Sequence, residues 1–276
     1  MQAVNPLQKY FRQPKIFVQL PSKGLYYPPG TLIGDYNNVP IFAMNGMDEI
    51  LYKTPDALFS GEATTKVIES CCPYIKDAAS MPAIDVDLMI ISIRIATFGD
   101  ILPISKSCPS CGEENSYEVD LKKYVDYFNS LTYDNKIQIG DLIVTIRPLT
   151  YKELTEVNLE NFKMQKTLLM LKDVEDEKIR QEQIDQVYKT LAEVQSDIFI
   201  KSIETVQIPE GIVDEKDWIA EWVKNSERDL FEQIKSKLEA NKKLWSLPTQ
   251  PVKCAACGAE DTLEVELDQS NFFVKS

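Results

Sequence analysis

Six cysteines and no histidine set the chemistry open to this chain of 276 residues. Four of the cysteines stand in two knuckles, Cys108-Pro109-Ser110-Cys111-Gly112 and Cys254-Ala255-Ala256-Cys257-Gly258. In a Cys-x-x-Cys-Gly knuckle two thiolates reach one ion from a tight turn, and the glycine supplies left-handed backbone. Cys108, Cys111, Cys254 and Cys257 together make the donor set of a structural zinc site. The likeness runs past the ligands. Cys108 to Leu121 aligns without gaps on Cys254 to Leu267, with seven identities in fourteen positions, and Glu118-Val119-Asp120-Leu121 answers Glu264-Val265-Glu266-Leu267. The expectation is one zinc ribbon split into two knuckle-plus-strand halves by a long insertion. Iron, as in rubredoxin, or an iron–sulfur cluster is the alternative cofactor; two unrelated reduced pairs or a disulfide are the plainer readings.

A metal held by four sulfurs has no open position for water or substrate, so its expected role is structural. A thioredoxin-like role needs the cysteine pair at a helix N-terminus, whereas here a glycine and then a strand follow each pair. The absence of histidine removes the commonest general base and the Ser-His and Cys-His nucleophile pairs. Neither GxxxxGK[ST] nor GxGxxG occurs, and no pair of carboxylates is set apart by its surroundings. The expectation is a protein that is not an enzyme.

The formal net charge of -13 argues against non-specific nucleic-acid binding, which needs Lys and Arg to displace counterions. A zinc-ribbon nucleic-acid binder would need a basic face on the knuckle strands. Those strands instead carry Glu113, Glu114, Glu118, Asp120, Glu260, Asp261, Glu264 and Glu266. No apolar run is long enough to span a membrane, and Met1 to Gln13 lacks the apolar core of a signal peptide. Folding in a reducing cytosol follows, where cysteines serve as ligands and buried thiols.

The fold class expected is α+β, with a mainly helical N-terminal domain and a split four-cysteine zinc ribbon carrying a long helical-hairpin insertion. Residues 1-44 read as an arm with short strands, a β-rich run in Pro14 to Pro21 bounded by those prolines and a second over Val39 to Phe42. Tyr26 and Tyr27, in the turn-rich Gly24 to Gly30, are candidate partner-binding aromatics, a loop packed on its own domain being the plainer reading. Residues 45-100 form a helical domain. Thr54-Pro55-Asp56 starts a short helix over Pro55 to Phe59, and Ala63, Val67, Ile68, Cys71 and Cys72 recur at helical spacing, making both cysteines core thiols. Ile84 to Gly99 is the most buried helix expected, capped by Asp85 and closed by Gly99, with Arg94 placed at the domain surface.

Residues 101-148 make the first ribbon half, with a strand over Ser116 to Leu121. A β-hairpin, Lys136 to Ile139 with Leu142 to Ile146 around Gly140-Asp141, is expected beside the knuckle. Residues 149-247 are the helical insertion. Thr150 and Glu153 form a capping box, and Leu154, Val157, Asn161, Met164, Leu168 and Leu171 follow a three-four spacing. Ile184, Val187, Leu191, Val194 and Ile198 resume it after an acidic break, which predicts an antiparallel helix pair. Trp218 and Trp222 share one face of a further helix as packing anchors or partner-binding residues. Residues 248-276 complete the second ribbon half.

The N-terminal half also carries a series of motifs in one order: Leu20-Pro21-Ser22-Lys23-Gly24 with Tyr26-Tyr27-Pro28, Met47-Asp48-Glu49-Ile50, Thr54-Pro55-Asp56-Ala57-Leu58 with Gly61, and Val67-Ile68-Glu69-Ser70-Cys71. Met81-Pro82-Ala83-Ile84-Asp85-Val86-Asp87, Ile93-Arg94-Ile95-Ala96-Thr97 and the first knuckle continue it. Over residues 12 to 121 the chain resembles the baseplate hub protein family of T-even-like contractile-tailed bacteriophages. The resemblance implies a non-enzymatic hub component or assembly factor made in the host cytoplasm, whether it stays in the virion tail baseplate or leaves as a chaperone. Its implied partners are other baseplate hub or wedge proteins, with no nucleic acid. It supplies no catalytic residues.

Overall fold

The computed structural model describes residues 5–54, 60–171, 176–265, 267 and 272–273. The expected short helix over Pro55 to Phe59 lies outside them. The chain is a mixed helix-and-strand protein forming two compact units, one from residues 1–78, 84–131 and 247–276, the other from 79–83 and 132–246. No helix among the described residues is long and apolar enough to cross a membrane.

In the first unit, β1 (Pro14–Val18) pairs antiparallel with β2 (Val39–Phe42). Helix α1 (Gly46–Tyr52) starts at a capping box, in which Asn45 accepts from the Asp48 N–H and Asp48 accepts from the Asn45 N–H. It packs against α2 (Glu62–Cys71). Arg12 fastens the N-terminal segment to both helices through the Ala43 carbonyl at 2.6 Å, Asp48 at 3.2 Å and the Ser70 hydroxyl at 2.7 Å. Cys71 and Cys72 are fully buried, and burial pushes their thiols up to about 12 and about 11, so both stay protonated core groups.

Helix α3 (Ala83–Phe98) is apolar all round and buried from Val86 to Arg94 apart from Asp87, as a central core helix must be. Gly99, at φ +95°, closes it by donating its N–H to the Ile95 carbonyl. Two expectations here need correction. Asp85 lies inside the first turn rather than capping it, and its carboxylate accepts instead from the Ser22 N–H (2.8 Å), the Ser22 hydroxyl (2.5 Å) and the Tyr27 hydroxyl (2.9 Å). Arg94 is not at the surface. It is 2% exposed, its Nε and Nη1 have no hydrogen-bond partner among the described residues, and its guanidinium lies against the rings of Phe98 and Phe272. Cation–π attraction to two rings offsets part of its desolvation.

Strands β3 (Ile101–Ser107) and β4 (Glu114–Asp120) form an antiparallel hairpin in continuous register from Ile101↔Asp120 to Ser107↔Glu114. Pro103 fits because a two-stranded ribbon leaves one edge of each strand without ladder bonds. Helix α4 (Lys122–Ser130) follows, with Tyr124 and Phe128 buried.

The second unit is built on a four-stranded antiparallel sheet. It contains β5 (Lys136–Ile139), β6 (Leu142–Ile146), β7 (Ile203–Ile208) and β8 (Gly211–Val213) in that order. The hairpin over 136–146, expected beside the first knuckle, therefore lies in this sheet, because β6 takes β7 as its second partner from Ile143↔Gln207 to Ile146↔Ile203. Between β6 and β7 run α5 (Tyr151–Met170) and α6 (Glu177–Ser202), which pack together. Thr150 and Glu153 form the expected box, and Arg147 grips the Glu153 carboxylate with both terminal nitrogens at 2.9 and 2.7 Å. Helices α7 (Lys216–Asn225) and α8 (Arg228–Leu244) cover the core of Val144, Ile146, Phe199, Ile203, Val206, Ile219 and Ile234. Phe199 stacks on Phe231 there with ring centroids 4.3 Å apart.

Back in the first unit, β9 (Gln250–Lys253) and β10 (Glu260–Leu263) form another antiparallel hairpin, paired from Leu263↔Gln250 to Glu260↔Lys253.

Candidate metal centre

Each knuckle is the turn of a hairpin: residues 108–113 join β3 to β4, and residues 254–259 join β9 to β10. The two turns close identically. Cys108 N–H donates to the Glu113 carbonyl at 2.8 Å and Gly112 N–H to the Cys108 carbonyl at 2.9 Å. Cys254 N–H donates to Ala259 and Gly258 N–H to Cys254, both at 2.9 Å. Gly112 and Gly258 sit at φ +77° and +73°, where a side chain is strained, so the glycine of each motif is a backbone requirement. The repeat seen in the sequence is thus a repeat of turn geometry.

The hairpins bring the four sulfurs together. Cys108 Sγ is 3.7 Å from Cys257 Sγ, and Cys111 Sγ is 3.7 Å from Cys254 Sγ, so both short distances run between knuckles. All four Sγ atoms lie within 4.8 Å of one another. For sulfurs about 2.3 Å from a central ion, tetrahedral geometry requires separations of roughly 3.8 Å. Cys108 and Cys254 face inward and are buried; Cys111 and Cys257 are exposed.

Backbone amides already favour thiolate at the inner positions. The N–H groups of Cys111 and Ser110 hold the Cys108 thiol below its usual value. Those of Cys257 and Ala256, with the Asn115 amide, bring Cys254 down to about 6. Cys111 also accepts from the Glu113 N–H, but Cys257, burial and the other two sulfurs outweigh it and push the thiol up to about 12. Four crowded sulfurs do not ionise together without a cation among them.

Contacts around the sulfurs bind one hairpin to the other. Asn115, on β4, donates Nδ2 to Cys254 Sγ at 3.4 Å and accepts the Ala255 N–H on Oδ1 at 2.9 Å. Lys106, on β3, meets Asp261 at 2.6 Å and the Thr262 carbonyl at 2.7 Å. None of these three side chains stood out in the sequence as part of the site. The only signal was that the knuckle repeat aligns Asn115 with Asp261.

Two of the four aromatic candidates belong to each unit. Tyr27 spends its hydroxyl on buried Asp85, and burial and that carboxylate together push its pKa well above the usual phenol value. Tyr26 is half-buried, with left-handed backbone at φ +68°. Trp222 packs against the core of the second unit, whereas Trp218, four residues earlier, is 65% exposed.

These features define a mixed α+β protein with a candidate tetrathiolate centre between two knuckle hairpins. The chain matches the family described as T4 bacteriophage base plate protein over residues 14–274, nearly its whole length, and it belongs to that family. No curated protein and no solved structure matches it significantly.

Proposed function

We propose that this chain is a non-enzymatic structural or assembly component of the phage tail baseplate hub, folded around one structural zinc ion and acting through protein–protein contacts. The family match over residues 14–274 carries the reading. The sulfur geometry supports the metal, since the two cross-knuckle Sγ pairs stand at 3.7 Å, close to the roughly 3.8 Å that one tetrahedral ion requires, and no Sγ pair exceeds 4.8 Å. A cluster of several irons, each taking its own thiolates, needs the sulfurs farther apart. A single iron fits the same cage and is distinguished by its colour. On this reading Cys108, Cys111, Cys254 and Cys257 fill every coordination position, and the pair Cys108–Cys257 closes a loop spanning 149 positions. The two knuckle halves form a ribbon, and the helical segment lies in the chain between them.

Exposed Glu113, Glu114 and Glu260 beside the knuckles disfavour a nucleic-acid partner. Hub or wedge proteins are the partners, met during assembly in the host cytoplasm. Of the four aromatics, Trp218 offers the most free surface for such a contact. The test is a phage carrying a nonsense codon early in this gene. The expected result is failure to form complete baseplates in a non-suppressing host, seen by electron microscopy and rescued by the gene in trans. Normal tails and full infectivity would overturn the reading.

A further inference from the structure

Asn115 belongs to the first hairpin, yet its side chain is spent on the second knuckle. It is 6% exposed, and three polar contacts use its amide: Nδ2 donates to Cys254 Sγ at 3.4 Å and to the Glu113 carbonyl at 3.0 Å, while Oδ1 accepts the Ala255 N–H at 2.9 Å. No other side-chain N–H donor is directed at a ligand sulfur among the described residues of these two hairpins. Its counterpart in the repeat, Asp261, instead pairs with Lys106 at 2.6 Å, at the strands rather than at a sulfur. The two halves of the centre are therefore built alike in backbone and differently around the sulfurs.

Resting on the metal reading above, we propose that Asn115 is the positioning residue that locks the second knuckle onto the first and tunes the Cys254 sulfur toward the bound ion. The chemistry requires an amide. A tetrathiolate around a divalent ion carries net negative charge, which an N–H donor stabilises and a carboxylate repels. The Oδ1 contact with Ala255 orients the knuckle and the Nδ2 contact with Cys254 shares the sulfur's charge, so one planar group performs both tasks.

Asn115→Asp separates the two tasks, because it keeps the shape and the acceptor for Ala255 while replacing the donor by an anionic oxygen. The measurements are zinc transfer from the purified full-length chain to a chromogenic chelator, and the sulfur-to-metal charge-transfer band of the cobalt(II)-loaded chain. Relative to wild type, the expected result is metal affinity about 10–100-fold weaker and a displaced band. Asn115→Ser, which removes both contacts without adding charge, is expected to lose zinc faster as well and serves if the aspartate variant does not fold. Lys106→Gln, at the ion pair away from the sulfurs, is expected to leave the cobalt band in place. Wild-type retention and an unshifted band in both Asn115 variants would overturn the inference while leaving the metal centre standing. A wild-type chain that binds neither zinc nor cobalt would overturn both.

Discussion

Asp85 places a carboxylate inside the first unit with no cation in contact among the described residues, held by three donors from Ser22 and Tyr27. Burial outweighs those donors and raises its pKa from 3.8 to about 6. The folded chain therefore binds this proton more tightly than the unfolded one. The group's stabilising contribution is complete below about pH 4 and is lost as the pH rises through about 6. A shift of this size corresponds to at most about 3 kcal/mol. Comparing the wild type with Asp85→Asn cancels the titration of the metal site and of the other carboxylates. In urea denaturation at several pH values, the stability of wild type relative to the variant is expected to fall between pH 4 and pH 6 and then level off. A difference that is flat or rises with pH would contradict this assignment. The loop Pro21-Ser22-Lys23-Gly24 carries its meaning here, as the clasp of a core helix.

Elements are decided by local chemistry where their signals are local, and by distant partners where they are not. The capping box of α5 was legible because Thr150 and Glu153 act within one turn, and the knuckles were legible because two short motifs repeat at a fixed spacing. The placement of the β5–β6 hairpin was not legible. Its second partner, β7, lies beyond two helices, and the run Ile203 to Ile208 directly continues helix α6 in sequence. Arg94 was misplaced for a similar reason, since one of the two rings that shelter it, Phe272, stands near the far end of the chain. Strand β3, the partner that turns the first knuckle into a hairpin, was obscured by Pro103. Glu153 concentrates the local chemistry of α5. Arg147 and the Thr150 N–H hold its carboxylate below the usual range despite partial burial, so its contribution is present at neutral pH and lost as the pH falls through that depressed pKa. Thr150→Ala is expected to cost about 1 kcal/mol at pH 7, read as a lower denaturation midpoint. An unchanged midpoint would show that the Arg147–Glu153 pair alone sets the start of the helix.

Across the whole molecule, the cysteines join stretches of chain that composition and periodicity leave unrelated. Cys108 and Cys257 are 149 positions apart, and a cross-link over such a loop restricts the unfolded chain by about 5 kcal/mol in the chain-entropy picture. Chains of this size with two compact units need not unfold in one step. An ion shared by the four sulfurs is expected to control the first unit, which holds all four ligands. Family membership supplies the setting, a tail baseplate, and the candidate centre draws its ligands from two segments of that unit, residues 84–131 and 247–276. The most direct measurement is elemental analysis of the full-length protein purified without a metal-binding tag, beside the double variant Cys254→Ser, Cys257→Ser. One zinc per chain in the wild type, absent from the double variant, together with a melting temperature lower by about 10 °C or more, is the expected result. A wild-type protein without metal, or a variant as stable as the wild type, would contradict the claim that a single structural ion organises this fold.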